Sequence, residues 1–169
     1  MKNDRVILGI DPGFVTAGFA VIEVASGRII LKEAGALRQP SSRTLAWRIV
    51  QFHDFFSEKF TTFRVTELAL ETPFLGKNAQ NFLKLGYLRG MLLFLAERHG
   101  LVLHEFSPRQ VKQAITGYGH ADKAQVFRVI ARLFPGFAKP ESFDVSDAVA
   151  IALCATWRPT CSPSRVSAA

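Results

Sequence analysis

The stretch VILGIDPG, residues 6–13, decides the fold of this chain. Its run of Val, Ile and Leu is typical of a central β-strand that is covered on both faces. Pro12 cannot donate a hydrogen bond to a neighbouring strand, and Gly13 permits a turn, so the strand has to end at Asp11. We therefore predict a buried strand that holds one carboxylate rigidly at its tip.

The rest of the chain predicts four more strands and five helices. The strands are Ala17–Val24, Arg28–Leu37, Val65–Glu71 and Leu101–Phe106, and the helices run from about Thr44 to Phe60, Lys77 to His99, Ser107 to Ile115, Lys123 to Phe134 and Ser142 to Trp157. Short connections between the first three strands indicate antiparallel pairing, whereas the helices before the last two strands indicate parallel crossovers. The predicted fold class is α/β, with a mixed five-stranded sheet of three antiparallel strands plus two parallel ones, flanked by helices.

Composition points to a single basic domain. The chain has 169 residues, of which 49% are hydrophobic, and this suffices for one core. We expect residues 1–157 to form that domain and the Ser- and Pro-containing tail, residues 158–169, to be disordered. A net charge of +7 favours polyanionic partners such as nucleic acid. Because the sequence shows neither a signal-peptide pattern nor an apolar run of ~20 residues, we expect a cytoplasmic protein without a membrane segment.

Four acids fall at positions where the predicted fold can bring them together. The fourth strand, like the first, finishes on an acid, Glu71. Asp144 and Asp147 lie three residues apart at the start of an apolar helix, and are therefore neighbours on one helix face. If the strands of Asp11 and Glu71 are adjacent and parallel, both carboxylates emerge at the same edge of the sheet. The last helix can then carry its two aspartates to that edge.

Such a cluster favours a metal site over a purely structural role. Acids also cap turns, and negative charge in the first turn of a helix is favourable, but this explains one aspartate of the last helix more readily than two. Crowded carboxylates repel each other unless a cation neutralises them, and ligands that are all oxygen favour magnesium or manganese. In a basic protein this combination indicates phosphodiester cleavage with two metal ions.

Several short blocks carry a resemblance to a known family. They are Ile10 to Gly13 with Gly18, Leu70-Glu71 followed by Phe74 and Lys77-Asn78, Leu85-Gly86 through Arg89-Gly90, Ser107 to Lys112, and Asp144-x-x-Asp147-Ala148. In this order they resemble the RuvC family of bacterial Holliday junction resolvases. The resemblance implies a ribonuclease H-like fold, a homodimer, and symmetric nicking of four-way junction DNA with two Mg²⁺ per active site, for which Mn²⁺ can substitute. It also suggests branch migration motor proteins as partners.

The resemblance also implies roles for single residues. Asp11, Glu71, Asp144 and Asp147 match the four metal-binding, catalytic acids of the family, although family members can carry histidine at the third position. Phe74 matches an aromatic residue near the junction centre, and Lys112 and Lys123 lie in segments near the scissile region. The residues that we expect to bind DNA are Phe74, Lys77, Arg109, Lys112 and Lys123.

Other interpretations remain open on the sequence alone. A ribonuclease H-like nuclease that acts on RNA would keep the acids at the sheet edge, and a junction-binding module without cleavage would keep the basic surface. An actin-like ATPase begins with a similar hairpin but needs a second comparable domain, for which this chain is too short. Gly86 and Gly90, four residues apart, allow close helix packing either in a dimer interface or within one subunit.

Overall fold

The computed structural model describes residues 4–72, 79–137 and 142–159. Five strands and five helices follow the predicted order. They are β1 (Arg5–Asp11), β2 (Thr16–Ala25), β3 (Arg28–Arg38), α1 (Leu45–Thr62), β4 (Glu67–Glu71), α2 (Ala79–Arg98), β5 (Val102–Phe106), α3 (Pro108–Thr116), α4 (Lys123–Leu133) and α5 (Phe143–Thr156).

The five strands form one mixed sheet in the order β3-β2-β1-β4-β5. The pairs β1–β2 and β2–β3 are antiparallel, and the pairs β1–β4 and β4–β5 are parallel. This arrangement confirms the predicted sheet, including the position of β1 in its centre. Ile7, Leu8 and Ile10 of β1 are fully buried, as expected of a strand that is covered on both faces.

Side chains that alternate along the strands build a core on each face of the sheet. Ile7 of β1 packs in a cluster with apolar residues of α3, α4 and α5. Leu8 and Ile10 point to the other face and pack with α1 and α2, where Phe52 and Phe56 are fully buried. The sheet therefore lies between two helical layers, and α5 covers its centre on one side.

Parts of the sequence prediction lie outside the described residues. The helix expected from Lys77 is described from Ala79 onward, so Phe74 and Lys77 are not covered, and neither are residues 160–169 of the tail. The other predicted helices and strands agree with the structure to within two residues at each end. Among the described residues, no helix combines the length and the apolar character that crossing a membrane requires.

A buried ion network fastens the sheet at the end opposite to the tip of β1. The guanidinium of Arg5 donates to both carboxylate oxygens of Glu67, at 2.5 and 2.8 Å, and also to the carbonyls of Ala155 and Thr156 at the end of α5. Glu67 is 2% exposed, and its Oε2 lies 2.6 Å from Nε2 of His104. The network thereby joins β1, β4 and β5 to the last turn of α5.

We expect Glu67→Gln to lower the free energy of unfolding by about 3 kcal/mol at pH 7, because it leaves the Arg5 guanidinium without a buried counter-charge. Burial would raise the pKa of Glu67, but the hydrogen bonds from Arg5 and His104 outweigh burial and lower it to about 2. A carboxylate whose pKa is lower in the folded state stabilises the fold above its unfolded pKa of about 4.5, and this contribution is lost as the pH falls towards 2.

Urea denaturation at pH 7 and pH 3 measures this effect, and the difference between wild type and variant should be smaller at pH 3. Glu23→Gln is the matched control, because Glu23 pairs with Lys32 at the surface and such pairs contribute about 1 kcal/mol or less. If the two variants lost the same stability, the buried network would have no special role.

Candidate metal centre

Asp11 and Glu71 end two neighbouring parallel strands. In the β1–β4 register Ile10 lies opposite Leu70, so the next residue of each strand, an acid in both cases, emerges at the same edge. Glu71 is fixed on its other side as well, since it lies opposite Phe106 of β5. The condition set in the sequence analysis, that the strands of Asp11 and Glu71 are adjacent and parallel, is therefore met.

The first turn of α5 brings two more acids to this edge. Asp144, Asp147 and Asp11 each offer a carboxylate oxygen, and these three oxygens all lie within 4.8 Å of one another. The hydroxyl of Ser142, the N-cap residue of α5, accepts a hydrogen bond from the Asp144 amide and donates one to Asp144 Oδ2 at 2.8 Å. The helix start is therefore capped, and one oxygen of Asp144 is oriented.

Two glycines allow α5 to lie directly on the strands. A Cβ atom at Gly18, which lies opposite Asp11 in β2, would overlap the backbone carbonyl of Asp144. A Cβ atom at Gly9 would lie 2.7 Å from the Cβ of Ala152. Backbone thus meets backbone at the point where the aspartates are presented, and this contact sets the distance between α5 and the tip of β1.

Crowding changes the titration of the acids. Burial, together with the negative charges of Asp147, Glu71 and Asp144, raises the pKa of Asp11 to about 7. Burial also raises the pKa of Glu71 and of Asp147, in spite of the positive charges nearby. When carboxylates lie this close together, the charge on one disfavours ionisation of the next. The arrangement is therefore unfavourable unless a cation is present.

Two of the predicted basic residues lie at this cluster. Lys123, the first residue of α4, donates from Nζ to Asp147 Oδ2 at 2.6 Å. Burial lowers the pKa of Lys123, but its hydrogen bond to Asp147 and the negative charges nearby raise it above the usual value overall. The positive charge of Lys112 on α3 acts on both Glu71 and Asp147. It offsets part of the rise in their pKa. Both lysines are therefore placed to meet an anion that approaches the acids.

Arg109 has different surroundings. Its side chain packs against Gly119, where an added Cβ atom would lie 2.8 Å from Arg109 Cγ, and it lines a groove together with Gln113 and Arg158. Arg109 is one turn from Lys112 on α3, yet it is not among the charges that shift the pKa of the acids. Phe74 and Lys77, the other predicted DNA contacts, lie outside the described residues.

Ser142, as a partner of Asp144, was not anticipated from the sequence. The signal was present, since Ser142 precedes Asp144 by two residues at the start of a predicted helix, where serine is a common N-cap. The pairing of Lys123 with Asp147 was not anticipated either. No local sequence pattern predicts the contact between Lys123 and Asp147, because this contact depends on how α4 packs against α5.

The donor set fits a hard divalent cation. The three converging groups are carboxylates, and Glu71 adds a fourth at the same edge. Oxygen-only donors suit magnesium or manganese, and a doubly charged ion would offset the burial and the repulsion that raise the pKa values. Among the described residues this is the one group of acids, histidines and cysteines whose ligand atoms converge in this way.

The chain matches a known family over most of its length. The family model described as "Crossover junction endodeoxyribonuclease RuvC" matches residues 7–155. A protein of that name from Heliobacterium modesticaldum is 39% identical over 160 residues, which are 92% of this chain and 99% of the relative. The relative of the same name from Pelodictyon phaeoclathratiforme is 41% identical over 88% of this chain and 78% of its own length.

The fold is similar to that of a solved family member. The structure described as "T. thermophilus RuvC in complex with Holliday junction substrate" superimposes with a TM-score of 0.81 at 28% identity, covering 89% of this chain and 92% of the other. This similarity confirms the ribonuclease H-like form of the mixed sheet. On these matches, together with the acids at the tips of β1 and β4, the chain belongs to the RuvC family of crossover junction endodeoxyribonucleases.

Proposed function

We propose that this chain resolves four-way DNA junctions by symmetric, metal-dependent hydrolysis of phosphodiester bonds. The observation that carries the proposal is the convergence of Asp11, Asp144 and Asp147 beside Glu71 on a half-buried edge of the sheet. The relatives are named crossover junction endodeoxyribonucleases, and the T. thermophilus structure is described with a Holliday junction substrate. Both descriptions support a junction as the substrate.

We assign the metal as Mg²⁺, with Mn²⁺ as a substitute, and two ions per site. Asp11, Glu71, Asp144 and Asp147 would hold them, because these residues supply up to four negative charges at one place. Divalent cations in such a site activate water and neutralise charge on the phosphate. The raised pKa of Asp11 means that metal binding displaces a proton, so we expect metal affinity to rise with pH up to about 7.

The lysines supply charge and orientation. The raised pKa of Lys123 keeps its ammonium protonated, so this residue acts through its charge and carries no proton in the reaction. In the free protein Lys123 holds Asp147 by a hydrogen bond, and its remaining N–H groups can donate to a phosphate oxygen. Lys112 places a second positive charge near Glu71. Donors that are positioned before the substrate arrives stabilise charge that develops during cleavage.

The two alternative functions have less support. A nuclease that acts on RNA would be compatible with the acids, but the relatives described above are named as deoxyribonucleases. A junction-binding module without cleavage would have no need for acids such as Asp11, Glu71 and Asp147, whose pKa is raised by burial and by the neighbouring carboxylates.

A cleavage assay tests the proposal. The full chain is incubated with a labelled four-way junction, a matched duplex and an RNA–DNA hybrid, each with Mg²⁺, with Mn²⁺ or with EDTA. We expect cuts at symmetric positions of the junction, little cutting of the other two substrates, and none in EDTA. Equal cutting of all three substrates, or cutting that persists in EDTA, would contradict the proposal.

We further propose that the chain acts as a homodimer through α2. One face of α2 exposes large apolar residues, with Leu83 57% and Phe94 58% exposed and Tyr87 between them. An added Cβ atom at Gly86 or Gly90 would meet nothing within 4 Å, so neither glycine serves helix packing among the described residues of the subunit. A second copy that covers this face would give an isologous interface, whose two-fold symmetry suits two symmetric cuts.

Phe94→Glu should weaken this dimer by about 2 kcal/mol or more, a thirtyfold change in the dissociation constant, because a charge would replace an apolar anchor. Sedimentation equilibrium measures the effect, and we expect the variant to be monomeric at concentrations where the wild type is dimeric. Leu133→Glu is the control, because Leu133 is similarly exposed but belongs to α4 on the other side of the sheet. A variant that remained fully dimeric would exclude this face.

The remaining expectations from the sequence stand as part of this proposal. Phe74 and Lys77 follow Glu71, the last residue of β4, by three and six residues in the sequence, and this short separation keeps them near the metal centre. We propose that they contact the junction close to the cleaved bonds. Branch migration motor proteins as partners, the disordered tail and a cytoplasmic location are proposed on the resemblance and the sequence alone.

A further inference from the structure

A second concave surface lies between α3 and α5, and Lys112 is not among the residues that line it. This α3–α5 groove has a volume of about 590 Å³. Its lining includes Phe106, Arg109, Gln113, Cys154, Trp157 and Arg158. The cleavage chemistry proposed above uses no residue of this groove. Arg109 was expected to bind DNA on the basis of the sequence alone.

The floor of the groove is apolar and chemically inert. Phe106 is 4% exposed and Cys154 is 3% exposed. The Cys154 thiol donates to the carbonyl of Val111, and burial raises its pKa to about 12, so it is a packing group and no nucleophile. A pocket of this kind accepts an apolar side chain.

The rim of the groove is positively charged and carries an aromatic ring. Arg158 holds its guanidinium 5.6 Å from the centroid of the Phe106 ring, and Arg109 packs against Gly119. Within the described ranges neither arginine forms an ion pair with a carboxylate, in contrast to Arg5, which is paired with Glu67. Trp157 at the mouth is 52% exposed. Guanidinium groups that pair with no carboxylate of the described residues suit carboxylates from outside.

We propose that the α3–α5 groove binds an acidic peptide segment of a partner protein. An apolar side chain of the peptide fills the floor, its carboxylates pair with Arg109 and Arg158, and Trp157 covers it. The pocket is apolar, and its arginines pair with no carboxylate in the part of the chain that the structure describes. An acidic peptide with one apolar side chain satisfies both features at once.

Two other occupants fit less well. The surface of a DNA arm is convex and polar, so its phosphates would reach the arginines but would leave the apolar floor empty. The segment 160–169 of this chain follows the groove directly, but it contains Arg165 and neither Asp nor Glu, so its side-chain charge has the wrong sign.

The experiment uses Trp157 as a reporter. The chain has two tryptophans, so in the Trp47→Phe variant Trp157 is the single source of tryptophan emission. A library of random 12-residue peptides is selected against this full-length protein, and the enriched peptides are synthesised and titrated. We expect peptides with several Asp or Glu residues around one large apolar residue, and a blue shift of Trp157 emission on binding. Arg158→Glu should weaken binding about tenfold or more, with Arg158→Gln intermediate.

Controls decide between a real site and non-specific attraction to a basic protein. Arg128→Glu makes the same change of charge on the exposed side of α4 and should leave peptide affinity within about twofold. The proposal would be overturned if the selected peptides were not enriched in acidic residues. It would also be overturned if Arg128→Glu and Arg158→Glu weakened peptide binding equally. A fall in four-way junction affinity with Arg158→Glu that matched the fall in peptide affinity would assign the groove to DNA and would overturn it as well.

Discussion

Asp11→Asn is expected to reduce junction cleavage on the order of 10³-fold, while junction affinity stays within about threefold of the wild type. The amide has nearly the same size and shape as the carboxylate, so the strand and its packing should be unchanged. What is lost is one negative charge at the centre of the cluster, where Asp11 interacts with Asp147, Glu71 and Asp144. A loss of about 4 kcal/mol of transition-state stabilisation corresponds to this factor.

The same substitution should stabilise the metal-free protein. The pKa of Asp11 is raised to about 7 in the folded state, so its ionisation opposes folding. This penalty is absent below the unfolded pKa of about 4, grows as the pH rises, and is complete above about 7. Thermal melts in EDTA should therefore show a higher Tm for Asp11→Asn than for wild type at pH 8, and no difference near pH 4.

Asp54→Asn is the matched control for both measurements. Asp54 is an exposed acid of α1 that pairs with His53, so its replacement removes the same charge far from the tip of β1. We expect its cleavage rate and its Tm in EDTA to equal those of the wild type within error. If Asp11→Asn cleaved at the wild-type rate, or lost junction binding while remaining folded, Asp11 would not be a metal ligand.

The position of the first two acids could be predicted because it follows from the strands themselves. The apolar run that ends at Asp11 indicates a buried strand, and a helix before Val65–Glu71 indicates a parallel crossover. Adjacent parallel strands then have to present Asp11 and Glu71 at one edge, as the register shows. The apolar character of α5 indicated that the helix packs on the core, but not where along the sheet its first turn would lie.

Contacts between distant elements could not be predicted. Lys123 meets Asp147 because α4 packs on α5, and the sequence around either residue is compatible with other packings. Arg109 and Lys112 are one turn apart on α3. Because of the way that helix packs, Arg109 lines the groove and Lys112 lies near the acids. For Gly86 and Gly90, the pattern was compatible with two kinds of packing, and the structure excludes close packing among the described residues of the subunit.

Gly18→Ala is expected to impair the metal centre without touching any charged group. Gly18 lies opposite Asp11 in the β1–β2 pair, and an added methyl group would overlap the backbone carbonyl of Asp144. Backbone cannot rotate out of the way as a side chain can, so the first turn of α5 has to move away from the sheet. Because that turn carries Asp144 and Asp147, both would leave the position in which their oxygens lie within 4.8 Å of Asp11.

We expect the free energy of unfolding to fall by about 2 kcal/mol, since overpacking of this kind costs 1–3 kcal/mol. Junction cleavage should fall about 100-fold, because a displacement of about 1 Å of catalytic groups has effects of that size. The two effects are separated by assaying cleavage far below the Tm, where the variant is folded, over a range of Mg²⁺ concentrations. A displaced cluster should need more Mg²⁺ for half-maximal rate, whereas a merely unstable protein should not.

Gly136→Ala is the control, because a Cβ atom there would meet nothing within 4 Å. It should leave stability, Mg²⁺ requirement and cleavage unchanged. If Gly18→Ala behaved like this control, the contact between β2 and α5 would not set the position of the aspartates. If it lost stability but kept the wild-type Mg²⁺ requirement, the contact would serve the fold alone. The expected result would instead show that Gly18, a residue without a side chain, sets the distance of Asp144 and Asp147 from Asp11.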